Sequence, residues 1–395
     1  RQLQARANAR RVLGNADIPD AQMEAFERMD ITDPRALQAL SDALGKNPSN
    51  FMQLHAYRVA SMLSGPGTQI INTAGGAMRV AYAIPKRAVA GAIEEVVTRG
   101  GTTRPKAAFT QQALAELAGM HVGLPEAIHA FQETLRTGIP LTPLRDLQTQ
   151  RTDIIRVPIV SNLNYVFRLM AATDDFFGTL GFWGGLMAEA EGKALRTGVS
   201  VDSIMANLPK HPDLVEAAAQ LGAERTFREQ TPLTRLVGMG RQLPGFGGAS
   251  YILVPFAKTM LNIVGQGLTL GPQSLIRDIP GVGSRMAPET LERAALRRAN
   301  AALGSAIMAG AAVGALAGNI SGFGPPVGSR ERDSLESMNW QPFSFKRGDR
   351  WVSYAWLGPF AVPVALSATV VESGKYSSRE AFPDRPWADR MTQFL

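Results

Sequence analysis

Residues 301–318 read AALGSAIMAGAAVGALAG, a run of eighteen residues without a charged side chain. Gly310, Gly314 and Gly318 recur at every fourth position, so on a helix they share one face and allow another helix backbone to approach closely. Alanine and glycine are weakly hydrophobic compared with leucine or phenylalanine. The run therefore predicts a close-packed helix in a larger assembly or a segment that enters a bilayer, and both interpretations stay open.

A second uncharged run, residues 351–371, is twenty-one residues long but contains Pro359 and Pro363. Proline removes a backbone donor and clashes with the preceding turn, so we expect this run to be kinked or broken if it is helical. Both runs are at the edge of the length that spans a hydrocarbon core of about 30 Å. Arginines stand directly before the first run, where they would flank an inserted helix or form an ordinary solvated turn.

Composition narrows the class of protein. With 395 residues and 45% hydrophobic content the chain can fill two or three cores, and a mean hydropathy of -0.04 disfavours an ordinary polytopic membrane protein. The net charge of +7 suits nucleic acid or an anionic lipid surface. Cysteine is absent, which excludes disulfides and thiolate metal sites, and the four histidines have no metal-ligand spacing. The chain begins at Arg1, and we expect it to be a processed product or part of a longer polypeptide.

Caps, glycines and apolar periodicity predict a mainly α-helical, elongated multi-helix assembly. The expected helices cover residues 1–63, Thr68 to Thr98, two segments within 107–138, Asn162 to Arg196, short polar segments within 199–243, a Pro- and Gly-broken apolar segment over 243–272, and a basic segment over 287–300. A flexible joint at 100–105, an extended connection over 138–160, and loops at 271–286 and 322–340 separate them.

One β-hairpin is predicted near the C-terminus. Phe343 and Phe345 alternate with polar residues, a glycine-containing turn follows, and Trp351 and Ser353 resume the alternation. The hairpin contact residues that we assign are Phe343, Phe345, Trp351 and Tyr354. The Arg-Gly-Asp tripeptide at 347–349 matches an integrin-binding motif, but a hairpin turn needs glycine in any case.

These elements divide the chain into four regions. They are an N-terminal helical region (1–100), a central helical region with an apolar aromatic helix (101–200), a helical region with the broken apolar segment (201–298), and the small-residue helix, hairpin and C-terminal apolar segment (299–395). We assign helix packing or oligomer contact to the three glycines and to an aromatic group, Phe176, Phe177, Phe182 and Trp183. Plain core packing is the alternative for these aromatic residues.

Sequence motifs for catalysis are absent. The chain has no phosphate-binding loop with lysine, no Gly-x-Ser-x-Gly and no zinc spacing. The stretch GFGGAS at 245–250 lacks a lysine and follows no predicted strand. Asp174 and Asp175 are adjacent, but neighbours on a helix point about 100° apart, so we expect a cap or salt bridge. We therefore predict a protein that is not an enzyme, with no catalytic, cofactor-binding or metal-binding residue.

Four segments carry a resemblance to a known family. They are MLSGPGTQIINTAGGAM (62–78), RLMAATDDFFGTLGFWGGLMAEAEGKALRTG (168–198), LVPFAKTMLNIVGQGL (253–268) and WQPFSFKRGDRWVSYAWLGPFAVPVAL (340–366). In their residue composition and in short stretches of sequence they resemble the helical portions of internal virion or ejection proteins of short-tailed bacteriophages, and of related giant polyvalent proteins.

The resemblance implies a structural virion protein that is held inside the capsid or at the portal and tail, then expelled to form a conduit for the genome across the host envelope. Its implied partners are further copies of the chain, portal, tail and ejection proteins, DNA through non-specific phosphate contacts, and the host membrane. Some members carry a transglycosylase or virion RNA polymerase elsewhere, so a supporting region of such an enzyme is an alternative. A cellular membrane pore or toxin is a third hypothesis.

Overall fold

The computed structural model describes residues 57, 60–61, 64–97, 108–138, 164–226, 257–279 and 291–376. Within this part the chain is mainly α-helical with a two-stranded antiparallel sheet near its C-terminal end, which confirms the predicted fold class. Nearly all of the predicted N-terminal helical section, the joint at 100–105, the connection over 139–160 and the GFGGAS stretch lie outside the described residues.

The chain divides into two compact units, which we describe separately. The first comprises residues 1–91 and 100–259, and it combines helices from three of the regions drawn on the sequence. Its described helices are α1 (Pro66–Val97, belonging to this unit as far as Gly91), α2 (Ala108–Thr137), α3 (Asn164–Thr197), α4 (Val201–Ala206), a 3-10 turn (Leu208–Lys210) and α5 (Pro212–Arg225).

The second unit comprises residues 92–99 and 260–395. Its described elements are α6 (Ala257–Thr269, belonging to this unit from Met260), a 3-10 turn (Pro272–Asp278), α7 (Leu291–Leu316), α8 (Arg330–Ser337), β1 (Ser344–Arg347), β2 (Arg350–Ser353), a second 3-10 turn (Ala355–Phe360) and α9 (Ala361–Tyr376).

The predicted long helices are confirmed as α1 and α3, but the two helices expected within 107–138 are one continuous helix, α2. Pro125 lies inside α2 and cannot donate to the carbonyl of His121. Packing along α3 offsets that lost bond, because residues on both sides of Pro125 contact α3. The sequence expectation was wrong here because proline is a local signal and packing of the whole helix outweighed it.

Glycines set the distance between α2 and α3, which run antiparallel. A Cβ added at Gly123 would lie 2.6 Å from the Trp183 ring, and one added at Gly184 would lie 2.9 Å from Met120 Cγ. At the other end of the contact, Thr134 Oγ1 donates to Asp175 Oδ2 at 2.7 Å. Asp175 therefore ties two helices together through this hydrogen bond.

Helix α5 crosses the opposite side of α3, also at glycines. A Cβ added at Gly222 would lie 2.7 Å from the carbonyl oxygen of Gly178 and 3.4 Å from the amide nitrogen of Phe182. Beside this contact the side chains of α3, α4 and α5 form an apolar core. Its buried members are Phe182, Leu186, Ala190, Ile204, Leu208, Leu214, Val215, Ala218 and Ala219.

In the second unit α7 and α9 pack side by side and run in the same direction. Ser367 Oγ donates to the carbonyl oxygen of Met308 at 2.6 Å, and Lys375 Nζ donates to that of Ala315 at 2.7 Å. Because both residue numbers rise together along the contact, the helices are parallel. The chain from 317 to 354 must consequently return from the end of α7 toward the start of α9.

The run 351–371 is broken, as its prolines predicted. It divides into β2, a 3-10 turn and the start of α9, and Gly358 adopts the left-handed region with φ 58° at the kink. Pro363 is tolerated in the first turn of α9, where the backbone amides have no intrahelical acceptor.

Two predicted loops contain short helices. Within 322–340, Ser329 accepts a hydrogen bond from the amide of Arg332 and begins α8, whose first turn carries Glu331 and Asp333. A serine cap with acidic residues in the first turn is a helix-start signal that the loop interpretation overlooked. Within 271–286, the stretch Pro272–Asp278 forms a 3-10 turn.

The predicted hairpin is confirmed with a two-residue loop, since Arg347 pairs with Arg350 and Gly348 has φ 61°. The register pairs Phe345 with Val352, which places Phe345 and Trp351 on opposite faces of the sheet. Phe343 lies before β1 with φ 53°, so it does not continue the strand alternation.

We expect Gly222→Ala to destabilise the first unit by about 1–3 kcal/mol, because the new methyl group would overlap the Gly178 carbonyl in a close-packed contact. Gly178→Ala is the matched control in the same interface, since its Cβ would meet Thr226 at an ordinary 3.6 Å. Alanine favours a helix over glycine, so this control should be neutral or slightly stabilising. Chemical denaturation of both variants measures the difference, and equal stabilities would contradict the close-contact interpretation.

Candidate functional site

The three glycines assigned to helix contact lie in different surroundings. A Cβ at Gly310 would meet nothing within 4 Å, whereas Gly314 accommodates the side chain of Ile320 from the same chain. Gly318 lies beyond α7 with φ 73°. The amide of Asn319 donates to the carbonyl of Gly314 and that of Gly318 to Ala315, which is the Schellman arrangement that ends a helix. Of the three, Gly310 has an open helical surface.

Helix α7 is apolar on both of its faces from 301 onward. One face packs inside the second unit, with Ala301, Ala311 and Ala315 buried. The opposite face is exposed and carries no charged side chain; its members are Ala302, Ala306, Ala309, Gly310, Val313 and Leu316, and the half-buried Ser305 lies at its edge. Val313 and Leu316 are each 66% exposed. A surface helix of a soluble protein normally carries polar residues on that side. We call these six residues the open face of α7.

The start of α7 is basic, as the sequence predicted, but two of its arginines are bound within the unit. Arg297 Nη2 and Arg298 Nη2 donate to Asp278 Oδ1 at 2.8 and 3.0 Å. Hydrogen bonds from these guanidinium groups hold the pKa of Asp278 well below its ordinary value. The basic flank of the apolar run is therefore partly neutralised in this fold.

The aromatic group of α3 lies in the interior of the first unit. Phe177 packs against Ala127 and Leu180, and its ring meets that of Phe176 edge to face at 5.1 Å between centroids. Phe182 is buried in the core formed with α4 and α5. Trp183 is half-buried beside Gly123 of α2. These four side chains are used in packing within the chain, and their assignment to oligomer contact stays a prediction.

The hairpin aromatics contribute to the core of the second unit. Tyr354 is 1% exposed, and its ring centroid lies 5.1 Å from that of Phe345 and 6.5 Å from that of Phe343. Trp351, on the other face of the sheet, meets Trp340 at 6.5 Å between centroids. All four predicted residues thus fix the hairpin onto its own unit.

The sequence did not reveal a polar hub beneath the hairpin. Ser321 is fully buried; its Oγ donates to the carbonyl of Gln341 at 2.6 Å and accepts from the amide of Ser344 at 2.9 Å. The hydroxyl of Tyr354 donates to the carbonyl of Ser321 at 2.9 Å. A lone serine in a loop carries no sequence signal for such a role.

Glu372 of α9 anchors the segment that follows Ser321. It is 5% exposed, and its Oε2 accepts from the amides of Gly322 and Gly324 at 2.8 Å each. Burial raises the pKa of Glu372, although these two amides and nearby Lys375 favour its charged form. The carboxylate satisfies two backbone donors that would otherwise be unpaired inside the unit.

The strongest cluster of charged groups lies in the first unit, where four helices meet. Glu116 of α2 is fully buried and accepts from Arg87 Nε of α1 at 2.8 Å and from Arg225 Nη2 of α5. Arg87 also donates to Glu189 Oε1 of α3 at 3.3 Å and to Gln112 Oε1 at 3.5 Å. No sequence spacing reveals this cluster, because its hydrogen-bonded partners are up to 109 residues apart.

The cluster holds charge in place and offers no free acid or base. Burial alone would raise the pKa of Glu116, but Arg225 and Arg87 outweigh it and hold the pKa below its ordinary value. Burial lowers the pKa of neighbouring Lys86, although Glu224 favours its charged form. An ion pair with both guanidinium groups and the carboxylate out of water is a structural device, and it is costly to break.

In the part of the chain that the structure describes, no group of three or more His, Asp or Glu side chains could hold a metal ion.

Two helical segments of the described residues, Arg293–Leu316 and Ala355–Tyr376, are long and apolar enough to cross a membrane by length and composition. Core helices of soluble proteins meet the same criteria of length and composition.

The fold argues against both segments spanning a bilayer in this arrangement. Since α7 and α9 are parallel, the chain between them must return at the same depth. That connection carries exposed charged residues on α8 and at the hairpin tip, among them Glu331, Asp333, Lys346 and Arg347. Charges at hydrocarbon depth are costly unless paired or hydrated. The parallel arrangement therefore disfavours a pair of spans formed by both segments together.

Comparisons with known proteins do not assign a family. No protein-family model, curated protein or solved structure matches the chain.

We expect Glu116→Gln to destabilise the first unit by about 3–5 kcal/mol, because two buried guanidinium groups lose their counter-charge. Glu216→Gln, an exposed change on α5, should alter stability by less than about 0.5 kcal/mol. Urea denaturation monitored by circular dichroism measures both.

The pH dependence of the wild-type protein provides a second readout. Because the pKa of Glu116 is lower in the folded state, its stabilisation is present above the unfolded value near 4.5 and is lost as pH falls through the folded value. Glu116→Gln should remove that part of the acid sensitivity. An unchanged acid profile would contradict the pairing.

Proposed function

We propose that this chain is a structural protein of a bacteriophage particle, bound at the portal or tail or packaged inside the capsid, and expelled to help form an oligomeric conduit for the genome. The observation that carries the proposal is the open face of α7, an apolar helix surface that none of the described residues covers. The resemblance of four segments to phage ejection proteins supplies the biological setting.

A second copy of the chain is the occupant that we assign to the open face. Helices rich in alanine and glycine gain little from lipid but pack tightly against each other. Val313 and Leu316 supply apolar side chains on the same face, beside the open surface of Gly310. In a ring of copies around the axis of a portal or tail, this face of one copy would lie against a different surface of its neighbour, as in other cyclic oligomers.

A non-catalytic role fits the polar groups of the described residues. The buried carboxylates Glu116 and Glu372 are engaged with arginines and backbone amides. Passage across a host envelope requires the second unit to rearrange, since α7 and α9 are parallel in the folded chain. Gly358, at the kink before α9, is a position where such a change can begin.

Self-association of the purified 395-residue chain tests the assembly role. We expect sedimentation velocity to detect an oligomer, and Val313→Glu to weaken it by at least about tenfold because each contact would bury a charge. Met338→Glu is the matched control: Met338 is 64% exposed, against 66% for Val313, and lies outside α7. A chain that stays monomeric, or an equal effect of both variants, would contradict assembly through the open face.

Gly310→Leu offers an independent variant, since it adds bulk to the open face without an internal clash. Gly314→Leu is less informative because it would collide with Ile320 inside the same chain.

Flotation with anionic and neutral vesicles, together with dye release, tests whether lipid covers the open face instead of a second copy. If Val313→Glu abolished flotation of a monomeric protein, the open face would belong to lipid and the assembly proposal would be wrong.

The virion placement has a separate test. Mass spectrometry of purified particles of the phage that encodes the chain should find its peptides in the particle and lose them from the shell after ejection is triggered. Detection only in infected cells, outside particles, would overturn this part of the proposal.

A further inference from the structure

The tip of the hairpin is a concentrated and exposed basic patch. The five residues from Lys346 to Arg350 are all exposed and contain three cations against one carboxylate, Asp349. The register places Arg347 directly opposite Arg350, on the same face of the sheet. We call Lys346, Arg347 and Arg350 the basic tip.

The cross-strand arginine pair is unfavourable in the free protein. Residues directly opposite in an antiparallel pair have Cβ atoms about 5 Å apart, and like charges there repel. The side chains of the basic tip form no hydrogen bond or ion pair within the part of the chain that the structure describes. A bound anion between the two guanidinium groups would turn this repulsion into attraction.

Backbone hydrogen bonds hold the base of the hairpin, so the position of the basic tip is fixed. The amide of Lys346 donates to the carbonyl of Asn319 at 2.8 Å, and Ile320 forms a β-bridge with Phe345. On the other strand, the amide of Tyr354 donates to the carbonyl of Phe343 at 3.1 Å. A fixed base reduces the entropy that the arginines lose on binding.

The shape of the basic tip and the charges beside it suit a rod-shaped polyanion, such as a duplex, better than a flat anionic membrane. The turn residues Gly348 and Asp349 offer no apolar side chain to insert among lipids. Helix α8 carries three carboxylates against two arginines, and Trp340, which follows it, packs against Trp351 of the hairpin. A narrow basic projection can reach the phosphates of a duplex without bringing the acidic helix α8 against them. A flat anionic membrane would meet the projection and the acidic helix together.

We infer that the basic tip is a sequence-independent binding element for the phosphate backbone of double-stranded DNA, with Arg347 and Arg350 each contacting a phosphate. Guanidinium groups match phosphate oxygens bidentately, and a β-ribbon is narrow enough to follow a groove of the duplex. This inference deepens the proposed virion function, because it names the part of the chain that would meet the packaged or passing genome.

Fluorescence anisotropy of the full 395-residue chain with a labelled mixed-sequence duplex tests it. We expect Arg347→Gln/Arg350→Gln to weaken binding by about tenfold or more at low salt, and to reduce the slope of log K against log salt by about 1.8, which is two phosphate contacts. The matched control is Arg330→Gln/Lys210→Gln, which removes the same charge from two exposed positions outside the tip. It should leave binding nearly unchanged.

Three outcomes would overturn the inference: no measurable duplex binding by the wild-type chain, an equal loss in the tip and control variants, or a loss on anionic vesicles at least as large as that on DNA. Circular dichroism confirms that the variants fold. The assay needs neither assembly nor a particle, so its failure leaves the open face of α7 untouched. Conversely, DNA binding through the tip would stand even if Val313→Glu had no effect on self-association.

Discussion

Close approach of helix backbones at glycines is the constraint on which the rest of the first unit depends. Gly123 and Gly184 let α2 and α3 come together, and Gly222 does the same for α5 against α3. Only at such short separations can side chains from α1 and α5 reach one carboxylate of α2, Glu116, and seal it from water. Packing and charge pairing therefore support each other: the glycines bring the arginines within reach, and the buried ion pair penalises any shift of register between the helices.

The second unit relies on the same constraint but uses backbone rather than side-chain charge. A Cβ at Gly322 would lie 2.6 Å from Thr369 Cα of α9, and this closeness allows Glu372 to reach the amides of Gly322 and Gly324. Lys375 then donates to the carbonyl of Ala315 near the end of α7. One turn of α9 thus supplies hydrogen-bond partners to two backbone amides of the loop after Ser321 and to a carbonyl near the end of the parallel helix α7. Such anchors lie on one side of α7, and within the described ranges of the chain the opposite side stays exposed.

Local signals in the sequence identified the helices α1 and α3, the break at Gly358 to Pro363, and the hairpin, because caps, prolines and period-two alternation act over a few residues. They failed where distant contacts decide. Two helices were expected within 107–138, where packing against α3 keeps α2 continuous, and the three glycines at every fourth position predicted one common role. Instead Gly310 is open, Gly314 accommodates Ile320, and Gly318 ends the helix. The cluster around Glu116 and the hub at Ser321 join residues far apart in the chain, so no spacing rule could reveal them.

The direction of α7 and α9 decides how the apolar runs can be understood. Two long uncharged runs in sequence suggest a pair of spans, and antiparallel packing with a short connection would have supported that interpretation. Parallel packing does not, because the connection carries charges back along the helices. The open face and the basic tip then occupy distinct elements of one unit, an apolar surface suited to another copy and a charged projection suited to phosphate. The two roles that we propose, assembly with another copy and contact with DNA, need those two chemistries kept apart, since an arginine on the open face would prevent packing and an apolar tip would not hold phosphate.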